Sequence, residues 1–242
     1  MPGLPVVSER AEHLPPLKRV GHKGADHVSP GNTLASFEAA LDHGVDMIEF
    51  DVLRLPDGRL VLAHDYEDGG RPDALTLDEG LDHFAGEAYS HVELDVDLKL
   101  TGYEREVVDG LSARGLAERT VISTHYLDSI DLIGQLAPGL RRGLSVPRLT
   151  NDPTKSSWQK PIALVIAAVA RRLVPIRAGR LIRAGRFEAL MCHWRLASPR
   201  LVRAVHAAGG QLYVWTVDDA AHIEQLSAMG VDGVITNDPR LF

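Results

Sequence analysis

The sequence contains a single cysteine, Cys192, and few aromatic residues, which make up 5% of the chain. One cysteine excludes an intrachain disulfide and fits a reducing compartment. The longest apolar run, residues 161–170, is too short to cross a bilayer. The N-terminus carries charges and prolines where a secretory signal needs a continuous apolar core. We therefore expect a soluble, cytoplasmic protein, with residues 1–17 forming a leader on the outside of the fold.

An excess of basic residues is also missing, because the formal net charge is −7. This acidic balance argues against a general nucleic-acid-binding surface. Neither a Gly-x-Gly-x-x-Gly nor a Walker sequence is present, although a doubly wound sheet usually carries a glycine-rich loop after its first strand. Of the two common α/β architectures, the doubly wound sheet is therefore the less favoured.

Eight short β-rich runs alternate with segments whose apolar residues recur at helical spacing. The runs are RVGH, MIEFDV, VELDVDLK, TVIST, RGLSV, ALMCH, LYVWTV and GVIT. Each parallel strand needs a helical crossover, and 242 residues suit one closed barrel. The sequence thus predicts an α/β fold, a (β/α)8 TIM barrel that forms one domain over residues 1–242.

One insertion interrupts this alternation, directly after the second predicted strand. Residues 53–65 contain the turn sequence Pro56-Asp57-Gly58 between two apolar stretches. The pattern predicts a small β-hairpin that rises from the end of the second strand. We expect the hairpin to return His64 and Asp65 to the mouth of the barrel.

Reactive side chains lie at the ends of the first three predicted barrel strands, where barrel enzymes place their chemistry. They are His22 and Lys23 on the first strand, Glu49 and Asp51 on the second, and Asp97 and Lys99 on the third. Residues two apart in a strand point to the same face, so these carboxylates should converge. Glu93 and Asp95 share the face of Asp97, but Asp97 is preferred because it lies nearest the end of its strand.

Three carboxylates at one mouth would raise each other's pKa unless a cation lay among them. Oxygen ligands without cysteine favour one hard divalent cation, Mg²⁺ or Ca²⁺, over zinc. Lys23 and Lys99 beside this cluster suit a substrate phosphate. His22 and His64 would supply a base and an acid that titrate near neutral pH. The residues therefore predict metal-assisted cleavage of a small phosphate ester.

The stretch from Gly21 to Asp65 resembles the opening of the glycerophosphodiester phosphodiesterase family. The usual family pattern is His-Arg-Gly, Pro-Glu-Asn-Thr, Ile-Glu-x-Asp-Val, an Asp-Gly turn and His-Asp. The likeness continues through VDLK, VWTVD and GVDGVITNDP, and so spans nearly the whole chain. The resemblance implies a (β/α)8 barrel, one divalent metal and hydrolysis of glycerophosphodiesters to glycerol 3-phosphate and an alcohol.

The resemblance also implies a role for each candidate residue. The catalytic acid–base pair would be His22 and His64, the metal ligands Glu49, Asp51 and Asp97, and the substrate-binding residues Lys23, Lys99 and Trp215. Trp215 would pack against the glycerol end of the substrate, and a plain core position is its alternative. Lys99 could instead simply pair with Asp97.

Three positions depart from the family pattern. Lys23 replaces an arginine, which exchanges a bidentate fork for a point charge. Gly31 replaces a glutamate, and Asp97 replaces a frequent glutamate. The first two changes belong together if the family's glutamate at the position of Gly31 normally orients the arginine at the position of Lys23. A lysine, with its shorter reach, would no longer need that glutamate. The Lys23 and Gly31 departures motivate one alternative, a catalytically weakened relative that binds phosphodiesters without turning them over.

The segment 155–186 contains eight basic residues and no acidic one. The favoured interpretation is a barrel helix and loop with a solvated basic face. The alternative is a surface for weak contact with an anionic membrane or a phospholipid-derived substrate, because apolar and arginine residues alternate at helical spacing. That alternative would suit an enzyme of lysophospholipase D type. The sequence leaves the oligomeric state open.

Overall fold

The computed structural model describes residues 16–147 and 160–242. The strands are β1 (Lys18–Gly21), β2 (Met47–Arg54), β3 (Leu60–Leu62), β4 (Glu93–Leu98), β5 (Thr120–Thr124), β6 (Arg141–Val146), β7 (Ala189–His193), β8 (Gln211–Trp215) and β9 (Gly233–Thr236). The helices are α1 (Leu34–Asp42), α2 (Tyr66–Gly69), α3 (Leu77–Phe84), α4 (Glu104–Ala113), α5 (Leu127–Leu136), α6 (Lys160–Arg183), α7 (Pro199–His206) and α8 (Ala220–Met229). Most of the predicted leader, residues 1–15, lies outside the described part.

Eight of these strands form a closed parallel barrel. The sheet order is β1-β9-β8-β7-β6-β5-β4-β2-β3, and the additional pairing of β1 with β2 closes the ring. This arrangement confirms the predicted (β/α)8 barrel and excludes the open doubly wound sheet. Because all eight strands are parallel, their carboxyl ends meet at one mouth.

The barrel interior is apolar in its lower layers and polar toward the mouth. Its apolar part is a cluster of Val20, Met47, Val121, Ala189, Met191, Tyr213 and Ile235. Along β2, Met47 belongs to that cluster, whereas Glu49 and Asp51 follow it on the same face. Alternation along a strand buried on both faces therefore delivers the carboxylates to the mouth.

Strand β3 lies outside the barrel and pairs with the end of β2. It pairs antiparallel with β2 through Val52–Leu62, Leu53–Val61 and Arg54–Leu60. Gly58 turns the chain between the two strands with a φ of 91°, a conformation that favours glycine. The chain after β3 leads to His64 and to Asp65, which caps the N-terminus of α2.

Helix α1 begins where the loop from His22 ends. Thr33 is its N-cap, because the Thr33 side chain accepts a hydrogen bond from the Ser36 amide. The preceding residue, Asn32, has a φ of 58° and turns its side chain toward β2. No helix among the described residues combines the length and apolar character needed to cross a bilayer.

Candidate active site

Three carboxylates converge at the ends of β2 and β4. One oxygen each of Glu49, Asp51 and Asp97 lies within 4.8 Å of the others, and all three residues are buried. Parallel pairing places Asp51 beside Asp97 and Glu49 beside Asp95. An all-oxygen set of this size fits a hard divalent cation. The structure thus brings together the three predicted ligands.

The ammonium group of Lys99 lies between two of these carboxylates. Lys99 Nζ is 2.5 Å from Asp51 Oδ1 and 2.5 Å from Asp97 Oδ2. Burial alone would lower the Lys99 pKa, but the charges of Asp51 and Asp97 raise it well above its ordinary value. Burial would likewise raise the Asp51 pKa, yet the Lys99 charge holds that pKa below its usual range. Lys99 therefore supplies part of the charge balance that the carboxylates need.

Burial raises the pKa values of two acidic groups in this site. Burial, and then the charge of Asp51, raises the pKa of Glu49 well above its ordinary value. Burial, and then the charge of Asp97, raises the pKa of Asp95 to about 8. One lysine thus does not satisfy the whole cluster, and a divalent cation fits the remaining deficit of positive charge.

The loop before α1 holds two of the carboxylates in place. The Lys23 backbone amide donates to Glu49 Oε2 at 2.8 Å. Asn32 donates from Nδ2 to Asp51 Oδ2 at 3.0 Å and accepts from the Asp51 amide at 3.1 Å. Asn32 was not among the site residues predicted from the sequence. The signal was its place in the Asn-Thr part of the family pattern.

His22 is oriented by a chain of hydrogen bonds at the ends of β8 and β9. Its Nδ1 lies 2.5 Å from Asn237 Oδ1. Asp218 accepts from Asn237 twice, from Nδ2 at 2.7 Å and from the backbone amide at 2.8 Å. A carboxylate can only accept, so Asp218 fixes which end of the Asn237 amide faces His22. The facing oxygen also only accepts, so neutral His22 carries its proton on Nδ1.

This tautomer leaves Nε2 of His22 free to accept a proton. Nε2 lies 3.8 Å from Glu49 Oε2. Burial lowers the His22 pKa, although the charge of Asp51 opposes that effect. His22 is thus a neutral imidazole at pH 7 with its basic nitrogen beside the carboxylate cluster. Asn237 and Asp218 were not among the predicted site residues, although both follow predicted strands.

The Asp218→Asn variant tests this orientation. An amide at position 218 no longer fixes the Asn237 side chain, and a flipped amide favours the proton on Nε2 of His22. We expect kcat to fall about tenfold, the value of one hydrogen bond of about 1 to 1.5 kcal/mol. Nitrogen-15 NMR of the His22 ring should show a mixed tautomer. Asp219→Asn is the control, because it makes the same charge change one residue away at the N-cap of α8.

His64 and His22 both line one cavity of about 200 Å³ at the barrel mouth. The His64 side chain is about half exposed, and its Nδ1 lies 3.7 Å from Asp65 Oδ2. The cavity is lined by His22, Glu49, His64, Asp95, Asp97, Lys99, Ser123, His125, Ser145, Met191, Trp215, Thr216 and Ile235. Trp215 forms part of the wall and contacts the rings of His125 and His193 edge-on. Most of the predicted site residues therefore face one space.

Lys23 is the exception among the predicted substrate-binding residues. Its Nζ lies 3.5 Å from Asp26 Oδ2, and it lines a separate pocket with Asp26 and Gly31. A Cβ at position 31 would lie 2.6 Å from Asp26 Oδ1 and 2.8 Å from Lys23 Cβ. Asp26 thus occupies the space beside Lys23, and any side chain at position 31 would displace it. The structure does not bring the Lys23 ammonium into the cavity.

The fold and the site together define a class of protein. Acid–base side chains and carboxylates gather at the carboxyl ends of barrel strands, which is where (β/α)8-barrel enzymes perform their chemistry. The sequence profile of the glycerophosphoryl diester phosphodiesterase family matches residues 22–80 and 72–241. The chain belongs to this family, as its motifs predict.

Individual relatives resemble the chain over most of its length. The chain is 27% identical over 254 residues to a glycerophosphodiester phosphodiesterase of Caldanaerobacter subterraneus, covering 91% of this chain and 93% of the relative. A putative glycerophosphoryl diester phosphodiesterase from Silicibacter pomeroyi superposes with a TM-score of 0.72 at 20% identity, covering 93% and 91% of the two chains. A phosphodiesterase from Oleispira antarctica, solved with the product sn-glycerol-3-phosphate, superposes with a TM-score of 0.64 at 20% identity, covering 95% and 96%.

Proposed function

We propose that the protein is a metal-dependent glycerophosphodiester phosphodiesterase, which hydrolyses glycerophosphodiesters to glycerol 3-phosphate and an alcohol. The observation that carries this proposal is the cluster of Glu49, Asp51 and Asp97 in contact with a cavity that His22 and His64 share. The names of the relatives support the substrate, and the Oleispira antarctica protein was solved with the corresponding product.

Each residue of the site has a distinct part in the proposed reaction. One divalent cation, Mg²⁺ or Ca²⁺, held by the three carboxylates, would stabilise negative charge on the phosphate oxygens. His22 accepts a proton from the nucleophile at Nε2, because its Nδ1 is committed to Asn237. His64 gives a proton to the leaving alcohol. Lys99 lies beside Asp51 and Asp97 at the cavity and binds the phosphate there, and Trp215 packs against glycerol.

Hydrolysis of glycerophosphocholine with and without a chelator tests the proposal. We expect release of glycerol 3-phosphate that stops with EDTA and returns when Mg²⁺ or Ca²⁺ is restored, because without a cation the carboxylates repel the anionic phosphate. Undiminished hydrolysis after complete metal removal would contradict the metal-dependent scheme. Tight binding of the substrate without any turnover would favour the alternative, a weakened relative, which the position of Lys23 outside the cavity motivates.

A second candidate substrate class is the lysophospholipids. An apolar groove of about 220 Å³ between α6 and the barrel shares His125 and Ser145 with the cavity. Its other lining residues are Leu127, Leu144, Val146, Val174, Arg177, Ala178, Leu181 and Leu190. An acyl chain that enters this groove should raise kcat/KM up to about fourfold per methylene, from about 0.8 kcal/mol of burial each. Equal kcat/KM for short-chain and long-chain lysophosphatidylcholines would eliminate this candidate.

The organisation of the whole chain as one domain, with a leader over residues 1–17 and a hairpin over residues 53–65, stays a prediction. The cytoplasmic location is also a prediction, as is the identity of the metal.

A further inference from the structure

The outward face of α6 carries aliphatic side chains in a row. Val169, Leu173 and Ile176 are spaced by four and three residues, so they lie on one side of the helix. Their exposed fractions are 49%, 57% and 60%. The other exposed large apolar residues of the described chain are Val28, Leu34, Tyr66, Leu132 and Phe242. Aliphatic groups aligned in this way are typical of a contact surface, whereas single exposed ones are ordinary.

Arginine side chains continue this row and flank it. Arg180 and Arg183 follow on the same side of α6, and Arg200 and Arg203 lie on α7, which packs beside α6. All four are exposed. Among the residues that the structure describes, none of the four pairs with a carboxylate. Salt bridges do engage Arg19, Arg54, Arg59, Arg71, Arg114, Arg141, Arg142, Arg186 and Arg240.

We propose that this α6 surface, consisting of Val169, Leu173, Ile176, Arg180 and Arg183, docks the protein on an anionic lipid bilayer. Aliphatic side chains can enter the headgroup region while arginines bind lipid phosphates. A nucleic acid would use the arginines but has no need for the aliphatic row. The unneutralised positive charge in a chain of net charge −7 gives the complementarity that an anionic surface needs.

The position of α6 in the fold suits this role. The core-packing residues of α6 are Val174, Ala178, Leu181 and Ile182, so its opposite face remains outside. Because α6 lies between β6 and β7, its N-terminal half is nearer the barrel mouth than its C-terminal half. The basic segment singled out in the sequence begins at residue 155, and residues 155–159 lie outside the described part. The inference therefore rests on residues 169–203.

Co-sedimentation with vesicles tests the proposal. We expect the full chain to bind vesicles that contain phosphatidylglycerol, to ignore vesicles of phosphatidylcholine alone, and to bind less as salt rises. Each arginine near an anionic surface contributes about fivefold to partitioning. The double variant Arg180→Gln/Arg183→Gln should therefore bind about 25-fold more weakly. Arg105→Gln, an exposed arginine on α4, removes one charge elsewhere and should leave binding near the wild-type value.

The aliphatic row needs its own variant. Leu173→Gln/Ile176→Gln should weaken binding about tenfold, because two apolar side chains no longer enter the interface. Leu132→Gln on α5, which has an exposed fraction of 38%, is the matched control and should bind as the wild type does. All of these positions are exposed, and circular dichroism verifies that each variant is folded.

Three results would overturn the proposal. The first is no binding to phosphatidylglycerol vesicles at low salt, and the second is equal binding by the α6 variants and their controls. The third is a lipid-free dimer, seen by analytical ultracentrifugation, that Leu173→Gln/Ile176→Gln dissociates, since the surface would then meet a second copy. Hydrolysis of water-soluble glycerophosphocholine should be unchanged in every variant. Failure of the proposed function would appear in that assay and not in vesicle binding.

Discussion

Replacement of His22 by alanine is expected to lower kcat for glycerophosphocholine by about 10²- to 10⁴-fold, the usual contribution of a positioned general base. Asn237 holds the imidazole with its basic nitrogen beside the carboxylate cluster, and alanine removes that nitrogen. KM should change much less, because the cation site and Lys99 remain. Steady-state kinetics with saturating Mg²⁺ or Ca²⁺ measures both constants.

His91→Ala is the matched control for this variant. His91 is exposed and lies before β4, outside the residues that line the cavity. It should retain wild-type kcat. If His22→Ala keeps more than about a tenth of the activity, His22 is not the base.

The pH dependence of the wild-type enzyme follows from the same residue. Burial lowers the His22 pKa from its ordinary value of 6.5, so the neutral, basic form predominates at pH 7 and is lost as the pH falls through the lowered pKa. At saturating metal, the acid limb of kcat/KM, which reports the free enzyme, should therefore lie below pH 6.5. An acid limb well above that value would contradict the assignment of His22 as the base.

The barrel could be predicted because each level of the sequence agreed with it. Eight apolar runs, each followed by a helical pattern, leave few architectures, and parallel strands place His22, Glu49, Asp51 and Asp97 at the same edge. The sequence also indicated a cation site, because carboxylates on an otherwise apolar strand are buried and need a charged partner. The convergence of the three predicted ligands follows directly from strand periodicity.

Contacts between distant loops could not be predicted in the same way. Asn237 and Asp218 are polar residues after late strands, and only the closed ring brings them to His22. The direction of Lys23 depends on its φ of 49° and on Asp26 five residues before Gly31. No periodic pattern in the sequence indicates this backbone angle or this local pairing. The direction of the Lys23 side chain, away from the cavity, was therefore not predicted.

The Asp51→Asn variant should nearly abolish metal binding and turnover together. Asp51 is fully buried and contacts Lys99, and its backbone and side chain are both bound by Asn32. An asparagine keeps the size of the side chain but removes the charge that a hard cation needs. Several kcal/mol of electrostatic stabilisation would be lost, which lowers kcat by about 10³-fold. Calorimetric titration with Mg²⁺ or Ca²⁺ gives the affinity without relying on activity.

The Asp95→Asn variant tests which aspartate of β4, Asp95 or Asp97, is the metal ligand. Asp95 lies one pleat deeper on β4 than Asp97, and with a pKa of about 8 it already holds a proton at neutral pH. Its replacement should leave metal affinity within a few fold of wild type, whereas Asp97→Asn should lower it as strongly as Asp51→Asn does. The reverse order would make Asp95 the ligand on β4.

The affinity for metal should also rise with pH in the wild-type protein. Glu49 must lose its proton to bind a cation, and because burial raises its pKa, protons compete with the metal as the pH falls. Lowering the pH therefore weakens binding, and each bound cation should release protons into an unbuffered solution. Glu49→Gln should remove most of that release. A titration at two pH values with equal affinity would show that Glu49 does not bind the cation.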